Sequence, residues 1–296
     1  MSQAVLILAH KDADYVYSLS MLLKQKFNVY VHFDTKFNLT EEFKDKFNDA
    51  NIFVCQKINV KWAAFSIVEA TFVLMKEALK NKDNTFFHLI SGQDFPTQNI
   101  NKIYDFYENN INIYMQHYLS KNLRIFHENV LWWSKYYFYF DKISRRTWYG
   151  KIYHRISLLF QMILNINKLK NLNIKEDIYH GSAWIDIPRE PLEYVITFLE
   201  KNPNWYKLFK TSAWPDESIF QTILCNSQYK GKIINNNHRY FDWKKKYNNC
   251  PAILDIYDYD NIKESNSHFA RKIDKNISKE LIVKLQKEFF EYDYES

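Results

Sequence analysis

With 296 residues, 47% of them hydrophobic, the chain carries enough apolar mass for one large α/β domain or two small ones, which excludes the disordered class. A balance of 40 Lys and Arg against 34 Asp and Glu leaves a net charge of +6. That excess suits an anionic small ligand, a phosphate-bearing lipid or a membrane surface, and is too mild to argue for nucleic acid. Cys55, Cys225 and Cys250 lie far apart with no CxxC spacing, which argues against a zinc site or a disulfide framework and for a reducing compartment. Aromatic residues make up 18% of the chain. Such rings stack on sugars and also sit at membrane interfaces, so the composition keeps both functions open.

The first hundred residues alternate short β-rich runs with helical stretches, the pattern of a βαβ nucleotide-binding layer. Ala4 to Ala9 predicts a buried parallel strand, Tyr15 to Lys26 its return helix, and Val29 to Phe33 a second strand ending at Asp34-Thr35-Lys36. Asn51 to Val54 forms a short third strand, and Val68, Phe72, Met75 and Leu79 have helical spacing within Phe65 to Lys80. Phe86 to Ile90 is a fourth strand running into Ser91-Gly92-Gln93-Asp94-Phe95-Pro96. Ligands of open α/β sheets sit outside the carboxyl ends of the strands, so His10, Asp34 and Ser91 to Asp94 are expected at one edge. Gly92 supplies permissive backbone at the last of these turns.

Between Trp132 and about Lys175 the composition turns aromatic and basic, and Leu158 to Leu169 predicts an apolar helix with Lys168 and Lys170 at its end. This stretch is either an ordinary buried helix pair with solvated lysines or an interfacial face resting on a membrane leaflet. Gly181 to Ile187 follows as a strand, and Pro191 to Lys201 and Glu217 to Cys225 as helices. The last of these helices is entered through Trp214-Pro215-Asp216, where the aspartate can cap free amides. Lys279 to Phe290 is an amphipathic helix. The N-terminal apolar run is too short and lacks the basic lead of a signal peptide, and nothing approaches the roughly 20 apolar residues of a membrane span. A complete chain of this kind would stay in the cytoplasm, with peripheral contact at the inner face of a bacterial membrane.

Short stretches in order along the chain carry the functional signal: ILAHKD at Ile7 to Asp12, VHFDTK at Val31 to Lys36, WAAFSIVEA at Trp62 to Ala70 and LISGQDFP at Leu89 to Pro96. They continue as GSAW at Gly181 to Trp184, Pro215-Asp216-Glu217, RYFDW at Arg239 to Trp243 and FARKID at Phe269 to Asp274. Together they resemble the core-2/I-branching family of β-1,6-N-acetylglucosaminyltransferases, which includes the peptide O-xylosyltransferases. The resemblance implies a single GT-A type domain over residues 1–296, α/β with a mixed central sheet flanked by helices. Residues 1–100 would be its UDP-binding half and 101–296 its acceptor-binding and catalytic half. It further implies inverting transfer from a UDP-sugar without a divalent metal.

Carried over residue by residue, Leu8, Ala9, His10, Asp34, Thr35 and Lys36 would line the uridine site with Trp62 alongside, and Ser91 and Asp94 would join them. Glu217 matches the catalytic base, and Lys272, with Arg271 beside it, matches the cation that neutralises the diphosphate. Trp243, Lys245 and Trp184 are candidates for the acceptor side, where an indole face can lie against a sugar ring. The chemistry of the residues agrees. Inverting transfer needs one carboxylate to take the acceptor proton, and departing UDP needs positive charge, from a metal or from fixed Lys and Arg.

The Asp-X-Asp pairs at Asp12/Asp14 and Asp258/Asp260 fall too early and too late for the usual metal motif and are read as chance. The arginine that metal-free relatives place just over twenty residues before the motif lysine falls here on Cys250 or Pro251. Arg271, Arg239 or the Lys244 to Lys246 run is expected to supply that second cation.

The function expected is transfer of N-acetylglucosamine to a glycan or lipid-linked oligosaccharide hydroxyl in surface polysaccharide or lipopolysaccharide synthesis. Xylose, galactose or glucuronic acid is the alternative donor sugar. A non-catalytic glycan- or lipid-binding protein is the alternative class.

Overall fold

The computed structural model describes residues 1–125 and 128–291. Its contacts divide the chain into two compact units. The first gathers residues 1–56 and 78–111 with the chain from 237 onward; the second gathers 57–77 and 112–236.

In the first unit, β1 (Ser2–Ala9) lies between β2 (Asn28–Phe33) and β4 (Asn84–Ser91), parallel to both, and β3 (Phe53–Cys55) extends the sheet beyond β2. β1 is buried along most of its length, which is why its sequence is a continuous apolar run rather than an alternating one. Helix α1 (Ala13–Leu23) returns from it, burying Val16, Leu19 and Leu23 at helical spacing. Helix α2 (Glu41–Asp49) starts where the Thr40 hydroxyl accepts from the Phe43 amide. The chain from 237 onward returns to this unit because strand Phe269–Arg271 pairs antiparallel with β5 (Asp94–Pro96) and parallel with Arg239–Tyr240.

The second unit also mixes strand directions. Asp186–Pro188 runs antiparallel to Ile113–Tyr114, Ile233–Ile234 runs parallel to it, and Tyr179–His180 pairs antiparallel with Tyr118–Leu119. Helices Arg189–Lys201, Pro203–Lys210 and Ile219–Cys225 belong to this unit. Parallel and antiparallel pairs with helices between them give the mixed α/β class expected.

Several boundaries move. Of the expected strand Gly181 to Ile187 only Asp186 and Ile187 lie in a strand, Asp186–Pro188, and the GSAW stretch is loop after strand Tyr179–His180. The helix placed at Leu158 to Leu169 runs instead over Trp148–Ile163, opened by the Thr147 hydroxyl accepting from the Gly150 amide. Lys168, expected in solvent, is fully buried: its ammonium donates to the Leu208 and Thr211 carbonyls at 3.2 and 2.8 Å and to the Ser212 hydroxyl at 3.0 Å. It thereby satisfies the open C-terminal carbonyls of helix Pro203–Lys210, while burial pulls its pKa well below the ordinary lysine value. The basic aromatic stretch is in part a core: Trp133, Tyr136, Phe138 and Phe140 pack with Val130 and Ala213.

Candidate active site

The register of the first unit brings the expected nucleotide residues to one edge. Leu8 is level with His32 on β2 and with Ser91 on β4, so all three strands end together. The Asp34 amide donates to the Ala9 carbonyl at 2.9 Å, and the Gly92 amide to the Leu8 carbonyl at 2.9 Å, tying the turns that follow the strands to β1. His10 and Thr35 are exposed there. Asp34 is buried, with its carboxylate 3.0 Å from both the Lys36 amide and the Lys36 ammonium.

Gly92 does not use a left-handed backbone, contrary to the expectation for this turn. A Cβ added there would stand 2.9 Å from Val16 Cγ2 and 3.1 Å from Ala9 Cβ, so the glycine lets the turn lie close on β1 and α1. Asp94 is fully buried, accepting from the Ser91 amide at 3.0 Å and the Ser91 hydroxyl at 2.6 Å.

The pairing of Phe269–Arg271 with β5 sets Arg271 opposite Asp94, with its Nε 3.4 Å from Asp94 Oδ1. Lys272 follows directly, its amide donating to the Ala252 carbonyl at 3.1 Å and its carbonyl accepting from Leu254 at 2.9 Å. The loop after β1 joins the same group of charges: Lys11 lies 3.3 Å from Asp274, and Asp12 lies 3.3 Å from Lys275. Lys11, Lys36, Arg271 and Lys275 on this edge thus each stand beside a carboxylate, Asp274, Asp34, Asp94 and Asp12 respectively.

Two of the expected sources for the second cation are engaged elsewhere. Arg239 is buried, donating to the carbonyls of Asn237 at 2.7 Å and Leu89 at 3.2 Å with its guanidinium over the Phe269 ring. Lys246 is held 2.8 Å from both Asp255 and Asp258. Of the rest of that expected set, Arg271 stands beside Asp94, and Lys244 and Lys245 are exposed. Asp12 and Asp258 of the Asp-X-Asp pairs are both ion-paired to lysines, Asp258 also closing a capping box with Asp255. Among the described residues no group of three or more His, Cys, Asp or Glu is arranged to hold a metal ion. Trp243 is 65% exposed on the loop after Arg239–Tyr240, its ring edge-on to Phe241, and Lys245 is exposed beside it.

Glu217, Trp62 and Trp184 belong to the second unit. Glu217 ends the short 3-10 turn Pro215–Glu217 just ahead of helix Ile219–Cys225. Trp214, which opens the turn, and Ala63 both have left-handed backbones, φ 45° and 62°, a conformation that costs a residue with a Cβ. The Trp214 amide donates to the Ala63 carbonyl at 3.0 Å, so the two strained residues brace each other. The Trp62 ring stands edge-on to Trp214 at 5.8 Å, and the guanidinium of Arg145 lies 4.4 Å above the Trp214 ring. The site motif at Trp62 and the basic aromatic stretch thus build one aromatic wall around the turn.

Glu217 itself is one-third exposed, its side-chain accessibility being 33%, and its Oε2 lies 3.3 Å from Nε2 of the buried His180. The Trp133 ring stands edge-on to the imidazole at 5.1 Å and packs against its side away from solvent. Behind it the Gly181 amide donates to the Glu217 carbonyl at 2.8 Å. A side chain at Gly181 would meet the Gln116 carbonyl oxygen at 1.8 Å, which is why this position is glycine. Trp184, at the end of the same loop, is half-buried, its amide 3.4 Å from the Ser182 hydroxyl.

The arrangement fixes a partly exposed carboxylate on a braced turn, where a carboxylate can in principle accept a proton from a nearby group. Sequence reasoning missed His180; its place immediately before GSAW was the available signal. Replacing His180 by Ala is expected to lower kcat about tenfold with little change in donor KM, and His180→Gln to recover part of the loss by restoring a polar side chain beside Glu217. Equal losses in both variants, or a change confined to KM, would contradict a positioning role.

Asp216 does not cap the helix as expected, since neither the turn nor the following helix takes a side-chain cap. Its Oδ1 is sealed from solvent without a hydrogen-bond partner, and burial, reinforced by the charge of Glu217, pushes its pKa up to about 8. Asp216 therefore keeps its proton at neutral pH. A carboxyl whose folded pKa is raised favours the folded state fully only below its unfolded value near 4. That contribution is lost as pH climbs towards 8. Thermal melts should show Asp216→Asn gaining stability over the parent as pH rises from 5 to 8, by an amount on the order of a few kcal/mol. An offset that does not change with pH would refute this.

The sequence profile of the Core-2/I-branching enzymes matches residues 4–266, most of the chain. The chain belongs to the Core-2/I-branching enzyme family. Two beta-glucuronosyltransferases of Arabidopsis thaliana, GlcAT14A and GlcAT14B, are 28% and 27% identical to it over 100 residues. Each of those segments covers 32% of this chain and 22% of the plant enzyme. A solved structure of the bifunctional glycosyltransferase WbbM is 10% identical with a TM-score of 0.37, covering 97% of this chain and 52% of that one.

Proposed function

We propose that this Core-2/I-branching enzyme is an inverting glycosyltransferase that moves a sugar from a UDP-sugar to a glycan hydroxyl without a divalent metal. N-acetylglucosamine is the favoured sugar, and the setting is surface polysaccharide or lipopolysaccharide assembly on a glycan or lipid-linked oligosaccharide acceptor. The observation that carries the reading is Glu217, one-third accessible on a braced turn with its Oε2 3.3 Å from Nε2 of buried His180. In the reaction the acceptor oxygen bonds to the anomeric carbon from the side opposite UDP, and its proton passes to Glu217. The bond from that carbon to the phosphate oxygen breaks, and UDP departs with the electron pair. Lys272 and Arg271 offset the charge that develops on the diphosphate, a role that cations fixed in the fold can fill in place of a metal.

Leu8, Ala9, His10, Asp34, Thr35, Lys36, Ser91 and Asp94 are assigned to the nucleotide together with Trp62, and Trp184, Trp243 and Lys245 to the acceptor. A second donor reading rests on the plant relatives, which are named as beta-glucuronosyltransferases: UDP-glucuronic acid in place of UDP-N-acetylglucosamine. UDP-release assays in EDTA with UDP-N-acetylglucosamine, -glucuronic acid, -xylose and -galactose separate them. Turnover with the first and an inverted anomeric centre in the product support the principal reading. Preference for the second transfers the same mechanism to glucuronic acid. Absence of turnover with every donor, with and without Mn²⁺, would instead favour a glycan- or lipid-binding protein.

A further inference from the structure

Helix Trp148–Ile163 is amphipathic in the wrong sense for a helix that only packs on its own protein. Its polar side faces inward. The Gln161 amide accepts from the Tyr137 amide at 2.7 Å and donates to the Tyr137 carbonyl at 3.0 Å, His154 Nε2 meets the Ile143 carbonyl at 2.8 Å, and Gly150 lies buried against Ser144. The opposite side is apolar and open: Trp148, Ile152, Ile156, Leu159, Phe160 and Ile163 are 49–75% exposed. At about 100° per residue these six fall on one continuous stripe, which is the arrangement of a surface-seeking helix.

Lys151 and Arg155, both exposed, run along one border of this stripe, and from Lys142 to Lys175 the chain contains no Asp or Glu. Among the described residues no helix is long and apolar enough to cross a membrane.

We propose that the outward face of helix Trp148–Ile163 docks on an anionic lipid bilayer, lying in the interface with its apolar stripe in the acyl boundary and Lys151 and Arg155 at the headgroups. The membrane contact expected from composition is thereby narrowed to one face of one helix. Charge selects the occupant. Pairing this face with the same face of a second copy would bring Lys151 and Arg155 of both chains together, whereas an anionic leaflet complements them. The proposal is independent of donor, acceptor and of Glu217.

The test is cosedimentation of the full chain with vesicles of phosphatidylcholine alone and with about one-third phosphatidylglycerol, alongside sedimentation velocity without lipid. The expected result is binding that needs the anionic lipid and weakens with salt. Ile156→Asp/Phe160→Asp should reduce it at least tenfold, and Lys151→Glu/Arg155→Glu should reduce it selectively on anionic vesicles. Thermal melts unchanged from the parent confirm that these exposed substitutions leave the fold intact. Failure of the folded parent to bind anionic vesicles would overturn the proposal, as would binding that both double variants retain. Self-association without vesicle binding, abolished by Ile156→Asp/Phe160→Asp, would overturn it in favour of a second copy.

Discussion

Glu217→Gln is expected to lower kcat by about 10²–10⁴-fold while leaving UDP affinity within about twofold, the span that a positioned general base contributes. The substitution is close to isosteric, so the braced turn, its left-handed Trp214 and the Gly181 contact stay in place. What is lost is the ability to hold the acceptor proton as the new bond forms. Steady-state UDP release and isothermal titration of UDP on the same preparation separate the two effects. Turnover within about threefold of the parent would remove Glu217 from the role of base. Collapse of UDP binding together with turnover would show that the residue acts through the fold.

Lys272→Ala is expected to have the opposite profile. A charge-assisted contact to phosphate contributes about 1.5–3 kcal/mol, so UDP should bind about 10–100-fold more weakly, with uridine affected far less because it lacks the diphosphate. Arg271 is the less informative neighbour: it faces Asp94, which is fully buried, and its removal leaves that carboxylate without its cation, so folding as well as binding would suffer. Titration of UDP and of uridine against Lys272→Ala checks the assignment. Parallel losses for both ligands, or none for either, would contradict it.

The strands that end at this edge were legible because parallel strands buried on both sides are written as unbroken apolar runs. β1, β2 and β4 each appear in the sequence to within two or three residues, and the strand ends then deliver His10, Asp34 and Ser91 to one edge. The turn carrying Glu217 was legible only through ordered motifs, since an acidic residue near a helix start is common chemistry.

What the sequence hid depends on long-range contacts. Lys168 is charged and flanks an apolar run, which is the mark of a solvated helix end; only the Leu208 and Thr211 carbonyls, about forty residues later, turn it into a buried cap. Asp216 has the local pattern of a capping aspartate, and its sealed, unpartnered oxygen is a property of packing. Helix Trp148–Ile163 was placed too late because its outward stripe is as apolar as a core face, and periodicity does not say which side is out.

The most direct test of the central claim is isothermal titration of UDP and the UDP-sugars into the protein in EDTA, repeated with Mn²⁺. The account predicts micromolar UDP binding in EDTA, one preferred sugar, and no gain from the metal. Binding that appears only with Mn²⁺ would contradict the assignment of Lys272 and Arg271 as the diphosphate's counter-charge, and absence of UDP binding under both conditions would contradict the transferase reading itself.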